Sequence, residues 1–234
     1  MQYLSVDKLD FKLKKAILGW DVVNWVKALR YWEDKCDLYN KNYQCLELGS
    51  GNTTGGLSLW LAMNRNNVIC SDKKSPRDFI YPIHQKYNCD HRIEYASIDV
   101  LSIPYDSYFD IVAFKSVLGG ISRENNSNKK VVIDNIYRTL KPRGKLFIAE
   151  NLEAAWLHRF ARKKILKKTW NYLIISEMDY IFNQYRSFDY TVVGFLGAFG
   201  RDENQRMLLG YADNIIEKLL PAKMKYILIG IAQK

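Results

Sequence analysis

Glu47-Leu-Gly-Ser-Gly-Asn-Thr-Thr54, followed directly by Gly55-Gly56, is the stretch on which the fold turns. Upstream, residues 43–48 form an apolar run of the length of a buried strand, and downstream Leu57-Ser-Leu-Trp-Leu-Ala62 reads as the start of a helix. A glycine-rich turn between a strand and a helix lets a ligand approach the backbone closely, and the N–H groups at the helix start favour an anionic or strongly polar group. The dinucleotide fingerprint G-x-G-x-x-G fits poorly, because Gly49 and Gly51 match but Thr54 stands at the third position. The turn marks a nucleotide-type cofactor site; taken alone, a bare structural turn explains it as well.

Working outward, strands and helices alternate. Residues 67–71 read as a second strand ending at Asp72. Ser75-Pro76 is a helix start, with serine as cap and proline at the first helical position, and Pro82 should kink or shorten that helix. Residues 92–98 form a third strand ending at Asp99, and residues 109–114 a fourth. A helix over about 128–140 stops at Lys141-Pro-Arg-Gly144, and residues 145–149 make the fifth strand. Five such units argue for an α/β fold, a doubly wound parallel sheet with helices on both faces. Towards the C-terminus, residues 190–197 and 224–232 look like strands, with a helix over about 203–220 closed by Pro221. The first 40 residues read as helical: Val22, Trp25, Val26, Leu29, Trp32 and Cys36 follow helical spacing, which predicts a helix packed on the main body. Core packing is the favoured reading of Trp20, Trp25 and Trp32, with one ring beside a substrate pocket as the alternative.

The chain of 234 residues is long enough for one sizeable core, and one domain with an insertion is favoured over two domains. Its 48% hydrophobic and 26% charged residues are those of a soluble globular protein, and no apolar run reaches the about 20 residues of a membrane span. The N-terminus lacks the layout of a signal peptide, so a cytoplasmic location is expected. The four cysteines form no C-x-x-C pair and read as reduced core thiols, not as disulfides or a metal site. A formal charge of +10 permits attraction to nucleic acid, anionic lipid or phosphorylated substrates, and is equally compatible with simple solubility.

Ligands of open α/β sheets sit beyond the carboxyl ends of the strands, where strand order reverses. Glu47, Asp72 and Asp99 fall at three such ends. A carboxylate after strand two can accept both hydroxyls of a ribose, and one after strand three can accept from an adenine amino group. The structural alternative for each is a capping or turn aspartate.

In that order the motifs resemble the class I S-adenosylmethionine-dependent methyltransferases: the glycine turn, Ser71-Asp72, Ile98-Asp99-Val100, Phe109-Asp110, Leu140-Lys-Pro-Arg-Gly-Lys-Leu-Phe-Ile148 and the final strand. The resemblance covers about 190 residues, from Tyr43 to the end, with residues 1–42 as an N-terminal helical segment before a methyltransferase domain over 43–234. Thr53, where the family usually has a third glycine, is a departure. The resemblance implies S-adenosylmethionine as cofactor, a seven-stranded sheet and an antiparallel last strand. It places Asp72 on the ribose, Asp99 on the adenine, and Gly49 and Gly51 against the methionine part. Glu47 would orient the loop, Ser50 and Asn52 would contribute backbone, and Val100 and Lys115 would complete the cofactor site.

Methyl transfer to an alcohol needs alignment and a proton acceptor with a pKa near neutral. His84 lies inside the helix after strand two and His91 before strand three, at the opposite edge. His158 and Glu150, at and after the end of strand five, are the candidate general bases; the alternative for His158 is an exposed residue of a basic helix. Lys115 and Ser116 follow strand four and are expected to line the pocket. In the loop Ser116-Val-Leu-Gly-Gly-Ile121, glycines stand where many relatives carry a histidine.

Residues 151–189 read as a helical, lid-like insertion. Arg159, Arg162, Lys163, Lys164, Lys167 and Lys168 supply six positive charges, with no acid from Ala154 through Ser176. Trp156, Leu157, Phe160, Ile165, Leu166 and Trp170 are interleaved without falling on one helical face, which favours a solvated lid that grips a phosphorylated substrate over a helix resting on an anionic membrane. The expected reaction is methyl transfer to an oxygen of a small molecule or glycan, with a phosphorylated or lipid-linked saccharide suiting the insertion. The layout, including Gly19-Trp-Asp-Val-Val-Asn-Trp25, loosely resembles bacterial methyltransferases of polysaccharide synthesis. The alternatives are a nucleic-acid methyltransferase, against which the D/N-P-P-Y motif and a Pro-Cys pair are missing, and a catalytically silent methyltransferase-like partner subunit. A nicotinamide oxidoreductase ranks last.

Overall fold

The computed structural model describes residues 5–51, 54–160 and 170–234. Asn52 and Thr53 of the glycine turn, and Arg162, Lys163, Lys164, Ile165, Leu166, Lys167 and Lys168 of the insertion, lie outside the described residues.

Seven strands form one sheet: β1 (Gln44–Leu48), β2 (Asn67–Asp72), β3 (Ile93–Ser97), β4 (Phe109–Lys115), β5 (Leu140–Asn151), β6 (Ser187–Val193) and β7 (Ile227–Gln233). Their order is β3-β2-β1-β4-β5-β7-β6. The first five pair in parallel, and β7 lies antiparallel to both β5 and β6. The family resemblance, and not periodicity, carried the direction of β7. Strand order reverses between β1 and β4, so the crevice beyond their C-terminal ends is the ligand position of a doubly wound sheet.

The central strands β1 and β4 are mostly buried apolar runs because both faces are covered, whereas the edge strand β3 is largely half-buried or exposed. On one face pack α1 (Phe11–Leu18), α2 (Val22–Lys35) and α3 (Gly56–Met63), with Trp25, Leu29, Trp32 and Trp60 buried against Phe147, Ile227 and Ile229. Trp32 stacks on Phe147 at 5.3 Å and donates its indole N–H to the Gly230 carbonyl, so the helical segment is welded to the sheet. On the other face α5 (Leu118–Ile121), α6 (Asn128–Thr139) and α8 (Met178–Ile181) close over Leu46, Val112, Phe114 and Ile148. Between them in sequence come α4 (Arg77–Lys86) and α7 (Trp156–Phe160), and α9 (Glu203–Ile216) precedes β7 and packs on α2. All four cysteines are buried thiols, as composition predicts. No helix among the described residues is long and apolar enough to cross a membrane.

The differences from the sequence reading are local. The helix after β2 opens at Arg77, with Pro76 itself as cap, and runs through Pro82 to Lys86 without being shortened there. Residues 141–144, expected as a turn, already belong to β5, as does Leu140, expected at the end of the helix. Phe109 pairs with Leu140 and Ile111 with Lys145, so the extra residues form a bulge, with Arg143 at φ 67°. The sixth strand begins at Ser187, inside the range given to the insertion, and ends at Val193 instead of 197. Gly194 turns the chain at φ 73°, and the next amides, of Leu196 and Gly197, donate to the Asp213 carboxylate of α9 instead of to a strand. The helix after it stops at Ile216, and a 3-10 turn after Pro221 delays β7 to Ile227.

Candidate active site

The loops after β1 to β5 open at one end of the sheet. Gly49 and Gly51 both have left-handed backbone, φ 68° and 67°, which side-chain-bearing residues rarely adopt. A Cβ at Gly49 would also run into the Val117 side chain of the loop after β4. The turn is held from below by Glu47, whose buried carboxylate accepts from the amides of Leu57 (3.2 Å) and Ser58 (2.8 Å) in the first turn of α3. Burial pushes the Glu47 carboxyl up, while these helix-terminal amides favour its charged form. Ser50 N donates to Ser71 O, and Ser71 Oγ to Glu47 O. Glu47 therefore shapes the loop, and its oxygens are spent on α3.

Asp72 closes β2 with Oδ2 accepting from Gly51 N at 2.8 Å and Oδ1 from Lys73 N at 2.7 Å. Each oxygen keeps a second lone pair, so the carboxylate braces the glycine turn and can still take hydroxyl donors. Asp99, two residues after β3, accepts from Leu101 N at 2.9 Å, leaves its side chain 42% exposed and lies 3.8 Å from Lys73 Nζ. Val100 beside it is buried. The set fits a nucleoside cofactor: two αL glycines giving close backbone approach, and two carboxylates with open acceptor positions at consecutive strand ends. Asp72→Ala is expected to weaken S-adenosylmethionine binding by about 1.5–3 kcal/mol, read by calorimetry, through loss of hydrogen bonds to a charged acceptor. Unchanged affinity would remove Asp72 from the site.

His84, set aside in the sequence, supports this loop. It is fully buried on α4; its Nε2 hydrogen-bonds the carbonyls of Thr54 (3.1 Å) and Gly55 (3.0 Å), and Nδ1 meets Tyr95 OH at 2.8 Å. Burial lowers its pKa, in keeping with a neutral ring that donates at Nε2 and accepts at Nδ1. No spacing rule could have found it, because its partners are backbone carbonyls 29 and 30 residues away. His91 is exposed at the opposite end.

The two candidate bases are differently placed. Glu150 is fully buried: Oε2 accepts from Val117 N (2.7 Å) and Leu118 N (2.8 Å) at the start of α5, and Oε1 from Asn151 N (2.9 Å). It does for the loop after β4 what Glu47 does for the loop after β1. Burial lifts its pKa to about 7 against those amides. His158 is not an exposed residue of a basic helix; it is 1% exposed, with Nε2 donating to Phe195 O at 2.8 Å and its ring stacked on Phe199 and Tyr226. It anchors α7 to the segment after β6.

Lys115, the last residue of β4, has a different environment. Its ammonium lies 4.3 Å from the Trp25 ring centroid and 5.1 Å from that of Trp20, two indoles packed edge to face. It has no hydrogen-bond or ion-pair partner among the described residues. Burial lowers its pKa to about 8, opposed by the negative charges of Glu150, Asp21, Glu47 and Glu203. The buried Trp25 indole N–H beside it also has no acceptor among the described residues. The backbone is held in left-handed conformations on both sides of this box, at Ser116 (φ 58°) and Asp21 (φ 50°). Asn151 Nδ2 fixes Ser116 Oγ at 2.9 Å. Asp21 is fixed by Glu203 of α9, which accepts from the amides of Asp21 and Val22 at 2.9 Å, and by Tyr226 OH and Asn24 Nδ2, which donate to its carboxylate. Non-glycine residues in αL cost energy and persist only where the surroundings impose them, which is common at functional sites. Core packing holds for Trp25 and Trp32, both fully buried, and Trp20 packs half-buried against the same cluster beside Lys115.

Residues 46–148 match the family model described as "Methyltransferase domain". None of the curated proteins compared with the chain matches it. Among solved structures, a SAM-dependent methyltransferase from Archaeoglobus fulgidus is similar over 96% of this chain and 99% of its own, with a TM-score of 0.60 and 15% identity. Phosphoethanolamine N-methyltransferase 2 of Haemonchus contortus, in complex with S-adenosyl-L-methionine, aligns with 100% of this chain and 60% of its own, at TM-score 0.63 and 14% identity. Geranyl diphosphate C-methyltransferase from Streptomyces coelicolor aligns over 87% and 74%, at TM-score 0.59 and 11% identity. At such identities the likeness to these structures is one of fold.

Proposed function

We propose that this chain, a class I S-adenosylmethionine-dependent methyltransferase, methylates an oxygen of a small molecule or glycan, with a phosphorylated or lipid-linked saccharide of polysaccharide synthesis as the preferred acceptor class. The cofactor, when bound, supplies an activated methyl group. The chain has to hold the acceptor in line, exclude water and remove a proton. The observation that carries the oxygen reading is the Lys115 amine, half-buried over the Trp20 and Trp25 rings without a hydrogen-bond partner among the described residues, its pKa lowered to about 8. A neutral amine at that point accepts the acceptor hydroxyl's proton at Nζ; an amine acceptor arriving neutral would need no such group. Lys115 thus serves the acceptor in addition to lining the cofactor site. Glu150 and His158 position: Glu150 holds Val117 and Leu118, and His158 holds α7. The phosphorylated acceptor is supported by the cations of the insertion, of which Arg159 lies on α7. Two neighbours of the same fold carry phosphoethanolamine and geranyl diphosphate in their names, so anionic acceptors occur on this scaffold.

The test is a labelled-methyl assay with the purified chain against lipid-linked glycans, phosphorylated sugars and RNA. Label is expected in an alkali-stable, oxygen-linked methyl of a saccharide. Label only in RNA, or only on nitrogen, would overturn the reading.

A further inference from the structure

The outer face of α9 is apolar. Leu208, Tyr211, Ile215 and Leu219 are 72, 56, 74 and 86% exposed. Their spacing of three, four and four residues places them on one side of the helix and of the turn that prolongs it. The acids of this segment all turn the other way. Glu203 accepts from Asp21 and Val22 amides, and Asp213 from Asn24 Nδ2 and the amides of Leu196 and Gly197. Glu217 pairs with Lys27 and takes the Gly194 amide. From Asn204 to Lys234 the chain has no other acid, and five cations. Of these, Lys218 and Lys223 are exposed beside the apolar stripe; within residues 202–234 the one exposed carboxylate is Asp202, at the N-cap of the helix.

From this segregation we infer that α9 docks in the plane of an anionic lipid surface, with Leu208, Tyr211, Ile215 and Leu219 in the acyl boundary and Lys218 and Lys223 among the headgroups. The chemistry selects this occupant. Single exposed apolar residues are ordinary, but a contiguous stripe bordered by cations matches an interfacial helix. A second copy of the chain would bring Lys218 and Lys223 against the same cations, with no carboxylate on the face to pair them. Anionic lipid supplies the counter-charge, and each basic residue at such a surface adds to the attraction. The tyrosine suits a boundary where one end of the ring is apolar and the other wet. The inference does not depend on which acceptor is methylated.

Flotation of the full chain with vesicles tests it. Binding is expected to phosphatidylcholine vesicles carrying phosphatidylglycerol, and little to phosphatidylcholine alone. Leu208→Ser, Ile215→Ser and Leu219→Ser combined should lower partitioning at least about tenfold, since most of the buried apolar area is lost. Lys218→Gln with Lys223→Gln should lower it on the order of tenfold on anionic vesicles only, and less at high salt. These side chains are exposed, so thermal midpoint and cofactor affinity should be unchanged, which separates a lost surface from a lost fold and from the methyl-transfer reading. The same measurements on a chain with Arg162, Lys163, Lys167 and Lys168 changed to Gln, with and without the serine substitutions, keep the insertion's own charges apart. Equal binding with and without the three serines overturns the proposal. So does a concentration-dependent dimer, dispersed by those serines, in a chain that ignores vesicles; the face would then belong to a second copy.

Discussion

Gly56→Ala is expected to destabilise the protein by about 3 kcal/mol, the upper range for forcing an extra carbon into a packed interior. Gly56 is the first residue of α3, and a Cβ there would land in the backbone of Ile17, within 2.7 Å of its Cα and closer still to its carbonyl. The obstacle is main chain, so no rotamer change relieves it; α1 and α3 must part. The neighbouring Gly55 adds a second need, a left-handed φ of 52°, and a Cβ there would also meet Ile80 at 2.8 Å and Cys70 Sγ at 2.9 Å. Gly55 thus answers a conformational and a steric demand together, Gly56 a steric one set by backbone. Urea unfolding of Gly56→Ala should show a lower midpoint, with weaker cofactor binding as the Leu57 and Ser58 amides leave Glu47. Gly120→Ala is the control, because a Cβ there meets nothing within 4 Å. Equal midpoints for the two variants would mean that α1 does not rest on Gly56.

The legible parts of this chain were those fixed by local chemistry. Buried parallel strands must be apolar on both faces, so β1, β2 and β4 stood out as runs, and the polar residues that end those runs fell at the ligand end of the sheet. The sequence pattern therefore places Glu47 and Asp72, as the third strand places Asp99. Their precise duties it does not give, because a carboxylate that caps a helix and one that receives a ligand or a proton look alike in sequence. Glu150 illustrates this: only the approach of the α5 start to the end of β5 brings Val117, Leu118 and Asn151 amides onto it. His158 depends likewise on Phe195, Phe199 and Tyr226, which arrive from the segment after β6, a 3-10 turn and the residue just before β7. The end of β6 differs from the sequence pattern for the same reason. Apolar residues continue beyond Val193, but Asp213 of α9 captures the next amides.

Lys115→Met is expected to lower turnover on the order of 10²–10⁴-fold, the usual contribution of a general base, with cofactor affinity nearly unchanged. Methionine keeps an unbranched stem between Trp20 and Trp25 and removes only the amine. Burial holds the Lys115 pKa at about 8, below its ordinary 10.5, so turnover of the unaltered chain should rise with pH to a half-maximum near 8. The sign for stability follows from proton counting. Between about 8 and 10.5 the unfolded chain holds this proton and the folded chain does not, so the group makes the fold more stable as pH rises through that window. Below 8 both states are protonated and the full cost of burying the charge is present. Lys115→Met removes that cost, so the variant should be at least as stable at neutral pH, and lost turnover cannot be assigned to unfolding. Lys115→Arg provides the complementary test, because a guanidinium keeps its charge and cannot act as a base at these pH values. It should be as inactive as the methionine variant while retaining a cation on the indoles. If Lys115→Met keeps full turnover and the same pH profile, the proton leaves by another route. If instead its cofactor affinity collapses while turnover of the saturated enzyme persists, Lys115 is a cofactor ligand only, and the argument for an oxygen acceptor loses its support.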